Sequence, residues 1–191
     1  MADKGDEIMA EEPNANENPQ SEPVISSAEN GNGGGKKLPF LGFVGSFSHS
    51  IDAKGRMIIP APFREPLGDR FAVAPSPDFQ YVALYPIDAW LEKRDFLLRL
   101  SQRNPEAMPF LEQFSKYSYT DCESDAQGRL LLPQKIRAWR LGDVRDVEVD
   151  GAIFYIRLLP AAKGREQDRS FDETYADPLK ALAEMQRQAG F

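Results

Sequence analysis

Short apolar runs separated by turn residues dominate the chain from residue 45 to residue 160. Residues 45–51 alternate loosely and include Phe47 and Ile51, which predicts a strand. Residues 57–59 and 130–132 are apolar triplets closed by Pro60 and Pro133, and each predicts a short strand. A single helical turn is expected after each, over 62–67 and 134–139. Strands follow at 71–74 and 80–84, and again at 147–149 and 152–159. Asp150-Gly151 reads as a tight hairpin joining the last two. The period changes between these blocks. Asp88 is placed to cap a helix over residues 89–102, with Trp90, Leu91, Leu97 and Leu98 on one face. Pro105 breaks it, and Phe110, Leu111 and Phe114 mark a second short helix. A polar stretch, 163–170, leads to a last helix with Asp177 as N-cap, Pro178 first and Gly190 as its stop. Leu179, Leu182 and Met185 form its apolar stripe.

The pattern repeats. Asp52-Ala53-Lys54-Gly55-Arg56 aligns with Asp125-Ala126-Gln127-Gly128-Arg129 at an offset of 73, and Pro60 and Arg64 align with Pro133 and Arg137. Leu67-Gly68-Asp69 aligns with Leu141-Gly142-Asp143, and Tyr81 to Pro86 with Tyr155 to Pro160, both at an offset of 74. Three ordered matches with one inserted residue point to an internal duplication. A copy of about 70 residues with some four strands would bury little surface and leave open sheet edges. Two copies paired about a pseudo-two-fold axis remedy both, so one β-barrel-like core with outer helices is expected. The organisation read from this is a tail at 1–37, a first repeat with its following helix at 43–103, a second repeat at 104–160, and a linker and helix at 161–191.

Composition narrows the function. The chain has 191 residues, 41% hydrophobic and 28% charged, which excludes collagen-like, rod-like and wholly disordered classes. No apolar run is long enough to span a bilayer, and the acidic N-terminus is unlike a secretory signal. One cysteine, Cys122, allows no internal disulfide and no zinc site, which fits a reducing cytoplasm. One histidine, His49, leaves no His-rich metal or catalytic set, and its expected role is structural; no cofactor is expected. The net charge of −7 argues against a nucleic-acid partner until its position is considered. Residues 1–37 hold eight acids and three lysines, net −5, so the rest carries only −2. That tail is rich in Glu, Asn, Pro, Ser and Gly and reads as a disordered, solubilising segment. A sharper reading has it competing with an anionic ligand for a basic patch.

The duplicated turn is the constellation with chemical promise. On a pseudo-two-fold core both turns would lie on one face. The planar guanidinium groups of Arg56 and Arg129 suit phosphate or a guanine edge. Lys54 adds a charge and Gln127 an amide, while Arg64 and Arg137 would flank the same face. Gly55 and Gly128 supply the positive φ of the turn. The plain alternative is that Asp52 and Asp125 bond Arg56, Arg129 or the backbone, and the turn is only a turn. An acid pair of Asp52 with Asp125 is disfavoured, because cationic neighbours hold both ionised. Cys122 reads as a small buried hydrophobe. No phosphate-binding glycine loop, nucleophile elbow or kinase signature is present, so the chain is not expected to be an enzyme.

At these residues a resemblance appears. Asp52 to Pro60 with Phe63-Arg64-Glu65, followed by Asp125 to Pro133, resembles the MraZ family, as do Tyr85-Pro86 and Trp90. The likeness covers residues 43–160. It implies a mainly β fold with short helices: a double-split β-barrel of two tandem SpoVT/AbrB-like swapped-hairpin repeats, each marked by a D-x-x-x-R motif. It implies a sequence-specific DNA-binding regulator, mainly a repressor, acting in the cytoplasm and nucleoid on the promoter of a division and cell-wall gene cluster. Ring-like homo-oligomers on double-stranded DNA carrying short direct repeats are also implied. Asp52 and Arg56 match the first motif and Asp125 and Arg129 the second, so Arg56 and Arg129 are assigned to DNA contact and the two aspartates to orienting the loops; Lys54, by its charge and position, and Gln127, Arg64 and Arg137 join the DNA-contact set, with Gly55 and Gly128 shaping the turns. The acidic tail departs from the family pattern, and residues 104–117 carry Lys116 as their one basic residue. An antitoxin-like interaction module using the tail is the competing reading.

Overall fold

The computed structural model describes residues 41–190, so the expectation for the tail, 1–37, lies outside the described residues. The first repeat comprises β1 (Ser46–Ser50), β2 (Arg56–Ile58), α1 (Ala61–Leu67), β3 (Arg70–Pro75), β4 (Val82–Pro86) and α2 (Ile87–Arg103). A 3-10 turn (Pro105–Ala107) and α3 (Met108–Lys116) connect it to the second. That repeat comprises β5 (Tyr119–Glu123), β6 (Arg129–Leu131), α4 (Gln134–Arg140), β7 (Asp146–Gly151), β8 (Ile156–Pro160) and α5 (Ala161–Thr174). Helix α6 (Pro178–Ala189) follows.

The strands of the two repeats are exchanged. Six form one antiparallel sheet in the order β1-β7-β8-β4-β3-β5, and β2 pairs with β6 as a separate ribbon. β1 therefore completes the second repeat's half of the sheet and β5 completes the first. The pseudo-two-fold is visible in the register. Ala83 pairs with Arg157 in the sheet and Met57 with Leu130 in the ribbon, and each is its partner's counterpart in the other repeat. This is the expected double-split barrel of swapped hairpins.

Strand alternation divides the core. Phe71 and Val73, with Val147 and Val149, face the ribbon and the short helices, where they meet Met57, Phe63, Leu130 and Ile136. Ala72 and Ala74 face the other way, beneath Leu97 of α2 and Phe114 of α3. Trp90 stacks on Phe114 at 6.1 Å and its indole N–H donates to Ser118 at 3.0 Å. Over the second repeat α5 takes the equivalent place, and a Cβ on its Gly164 would strike the Glu148 carboxylate.

Several expectations need correction. Strand β5 is absent from the sequence expectations: Thr120, Asp121 and Glu123 are polar and exposed, Tyr119 and Cys122 alone are half-buried, so no alternation marks it, and its partner β3 lies far back in sequence. Asp150 and Gly151 are not the hairpin turn but the end of β7, paired with Arg157 and Ile156. The turn is 152–155, with Ile153 at φ 62°. Gly151 is needed because the Phe43 backbone crosses it: an added Cβ would lie 2.3 Å from the Phe43 carbonyl carbon. Asp88 sits inside the first turn of α2, whose cap position is Pro86. Residues 163–170 are helical within α5. Leu98 is 41% exposed rather than packed with Leu97. Asp177 and Gly190 cap α6 as expected; Asp177 accepts from the Lys180 N–H, and Gly190 is left-handed.

Candidate nucleic-acid interface

Each duplicated turn is pinned by its aspartate. Asp52 Oδ1 accepts from the Lys54 and Arg56 backbone N–H groups, both at 2.9 Å, and Oδ2 accepts from Arg56 Nε at 2.8 Å. Asp125 does the same with Gln127 and Arg129 at 2.9 Å and Arg129 Nε at 2.7 Å. Gly55 N–H donates to Asp52 O at 2.9 Å, and Gly128 N–H to Asp125 O at 2.7 Å. Both glycines are left-handed, at φ 84° and 77°. The backbone N–H groups of Arg56 and Arg129, foremost among the causes, hold the carboxyls of Asp52 and Asp125 below the ordinary range. Each turn is thus held by three hydrogen bonds to its aspartate side chain, and the plain reading of it is correct as geometry: acid and arginine do bond each other. What that geometry achieves is to fix two half-exposed guanidinium groups in mirrored positions.

The ribbon joins the turns into one surface. Ile59 N–H donates to Gly128 O at 2.8 Å and Leu132 N–H to Gly55 O at 3.0 Å, so one turn lies at each end of β2–β6. The short helices then cross over. Arg64, fourth in α1, lays its guanidinium on Gly128 of the other repeat and donates from Nε to Ile59 O at 2.8 Å. Arg137, fourth in α4, lies on Gly55. Each end of the ribbon thus carries an arginine from both repeats, with Lys54 exposed at one end and Gln127 at the other. The ribbon's inward side is Met57 and Leu130, both 1% exposed. Its outward side is Arg56 opposite Leu131 and Ile58 opposite Arg129. Ile58 and Leu131 are 43% and 61% exposed. In sequence they are members of two apolar triplets, and alternation from Met57 and Leu130 is the signal that turns them outward.

The remaining candidates lie elsewhere. His49 is in β1, opposite Val147. Cys122 is half-buried in β5, and burial pushes its thiol upward. Among the described residues no group of three His, Cys, Asp or Glu side chains is placed to hold a metal ion. No described helix is long and apolar enough to cross a membrane.

Comparison with known proteins accords with the fold. The family pattern described as "MraZ protein, putative antitoxin-like" matches residues 43–111. A protein of Desulfitobacterium hafniense strain Y51 named transcriptional regulator MraZ is 34% identical over 143 residues, covering 75% of this chain and 98% of that one. One of the same name from Moorella thermoacetica is 35% identical over 142 residues, 74% of this chain and 94% of its own. A third, from Desulforamulus reducens, is 42% identical over 107 residues, 56% of this chain and 74% of the relative. These relatives are named as regulators, not as enzymes. With its two pinned Asp-x-x-Gly-Arg turns and near full-length likeness to such relatives, the chain belongs to the MraZ family.

Proposed function

We propose that the protein is a sequence-specific DNA-binding transcriptional regulator that represses its own division and cell-wall gene cluster. It acts as a ring-like homo-oligomer on short direct repeats in the promoter, in the cytoplasm and nucleoid. The observation that carries this reading is the single ribbon face with arginines from both repeats at each end. Lys54, Arg56, Arg64, Arg129 and Arg137 supply the charge, Gln127 an amide, and Asp52, Gly55, Asp125 and Gly128 hold the geometry. The name that its relatives carry, transcriptional regulator, agrees with that chemistry.

Assembly supports affinity. Five cations per chain correspond to a salt slope of roughly −4 to −5, which is modest at physiological salt. Several chains on successive repeats raise the effective concentration of each contact. Exposed Phe96, Met108, Phe110, Leu182 and Met185 provide apolar surface of the kind that subunit contacts cover.

The test is a titration of labelled duplex from upstream of its own gene, followed by anisotropy against a scrambled duplex over a salt series. Preferential binding with a negative salt slope, weakened by Arg56→Ala and by Arg129→Ala, is expected. Equal binding to both duplexes, unaffected by either substitution, would overturn the reading. A second reading, a protein-interaction module, draws on the antitoxin-like description of the family. Capture of a partner protein by the full chain, lost on removal of residues 1–37, would favour it.

A further inference from the structure

The outward side of the β2–β6 ribbon is a chequerboard of two cations and two bare aliphatic side chains. Arg56 stands opposite Leu131, and Ile58 opposite Arg129. The aliphatic pair is open to solvent, Ile58 at 43% and Leu131 at 61% exposed. Solvent-exposed Ile and Leu at the centre of a charged face cost hydration free energy unless something apolar covers them. A second copy of this face is a poor cover, because it would bring two more guanidinium groups beside Arg56 and Arg129 and add like charge to the face. A partner must be negatively charged overall and apolar at discrete points.

Duplex DNA has that chemistry in its major groove, which admits a two-stranded β-ribbon and displays one apolar group, the thymine C5-methyl. The two rows of the chequerboard are two residues apart along the strands, about 6.8 Å, close to two base-pair steps. The arginines at the same rows suit phosphate or guanine. The pseudo-two-fold through Met57 and Leu130 exchanges Ile58 with Leu131, so on a duplex whose dyad coincides with it the two side chains address opposite strands.

Resting on the DNA-binding reading, we propose that Ile58 and Leu131 are specificity-determining residues that contact thymine methyl groups in the major groove. The arginines supply attraction and the aliphatic pair selects thymine-bearing steps. Ile58 and Leu131 do so without contributing charge, so they leave the salt slope unchanged.

The experiment uses the upstream duplex in two forms, one with thymine and one with deoxyuridine at every thymine position, which removes only the methyl groups. The wild-type chain is expected to bind the deoxyuridine form about fourfold more weakly for each methyl contacted. The Ile58→Ala/Leu131→Ala double variant is expected to bind the thymine form with a similar loss and to treat the two duplexes alike, at an unchanged salt slope. Equal wild-type affinity for both forms, with Arg56→Ala and Arg129→Ala still weakening binding, would overturn the methyl contact and leave the DNA reading standing. So would a double variant that keeps full thymine preference. Wild-type binding to neither form in preference to a scrambled duplex would overturn the DNA reading itself, and the methyl contact with it. The wild-type comparison requires no substitution, and folding of the variant therefore does not limit it.

Discussion

Gly128→Ala separates backbone strain from side-chain placement. The residue is left-handed at φ 77°, and an added Cβ would lie 2.3 Å from both Nε and Cζ of Arg64. The backbone part costs about 1–2 kcal/mol, the usual penalty for a side chain in this region. The steric part is relieved cheaply, because Arg64 is flexible and swings aside, but it then leaves Ile59 O and the ribbon end. Gly142→Ala is the matched control: φ is 62° and nothing lies within 4 Å of the added Cβ. Both variants should lose a few degrees of melting temperature, at about 2–4 °C per kcal/mol for a chain this size. Only Gly128→Ala should also weaken DNA binding, about five- to tenfold, and flatten the salt slope by about 0.9 if Arg64 meets a phosphate. Calorimetry and anisotropy titrations on both variants read these quantities. If the two variants bind DNA alike, the assignment of Arg64 to the binding face is wrong; weaker binding at the wild-type slope would place Arg64 on a base edge rather than a phosphate.

Gly151→Ala should destabilise far more than Gly142→Ala, because its Cβ meets the Phe43 and Val44 backbone at 2.3–2.4 Å, which cannot swing aside; thermal melts compare the two. Asp52 and Asp125 have lowered folded pKa values, so their contribution to stability is complete above the unfolded value, near 3.8, and is lost as pH falls through the folded ones. Carboxyl NMR titration should place both midpoints below 3.8, and midpoints at or above it would contradict the pinned turns. Removing residues 1–37 takes away a net charge of −5 and should tighten DNA binding at low salt, with the difference shrinking as salt screens it. An affinity unchanged at low salt would mean that the segment's charge is not felt at the ribbon face.

What could be read from the sequence was what is local. Asp52 and Arg56 specify their turn within five residues, and the offset to Asp125 and Arg129 reveals the duplication. Asp177-Pro178 and Gly190 announce α6 by capping chemistry alone. What stayed hidden depends on distant chain. The five residues of β5, Tyr119-Thr120-Asp121-Cys122-Glu123, form a strand because β3 offers an edge, although the offset of 73 from β1 would have located them. Gly151 reads as a turn until Phe43 is seen to lie across it. The crossing of Arg64 onto Gly128 and of Arg137 onto Gly55 follows from the interlocked ribbon, so sequence reasoning found the right residues but not their pairing.

The exchange of strands also sets a timetable for synthesis. β1 is among the first described segments to leave the ribosome, yet its partner β7 lies about a hundred residues later; Ser46 donates to Asp150 across 104 positions. At about 5–20 residues per second, that interval is roughly 5–20 s. Throughout it, β1 presents an unpaired edge, and for about half as long the outer edge of β3 waits for β5. An unpaired edge in this state is open to pairing with another chain, until β7 emerges and its tethering to the same chain favours the internal partner. The time taken to synthesise residues 51–151 is thus the time for which β1 lacks its partner.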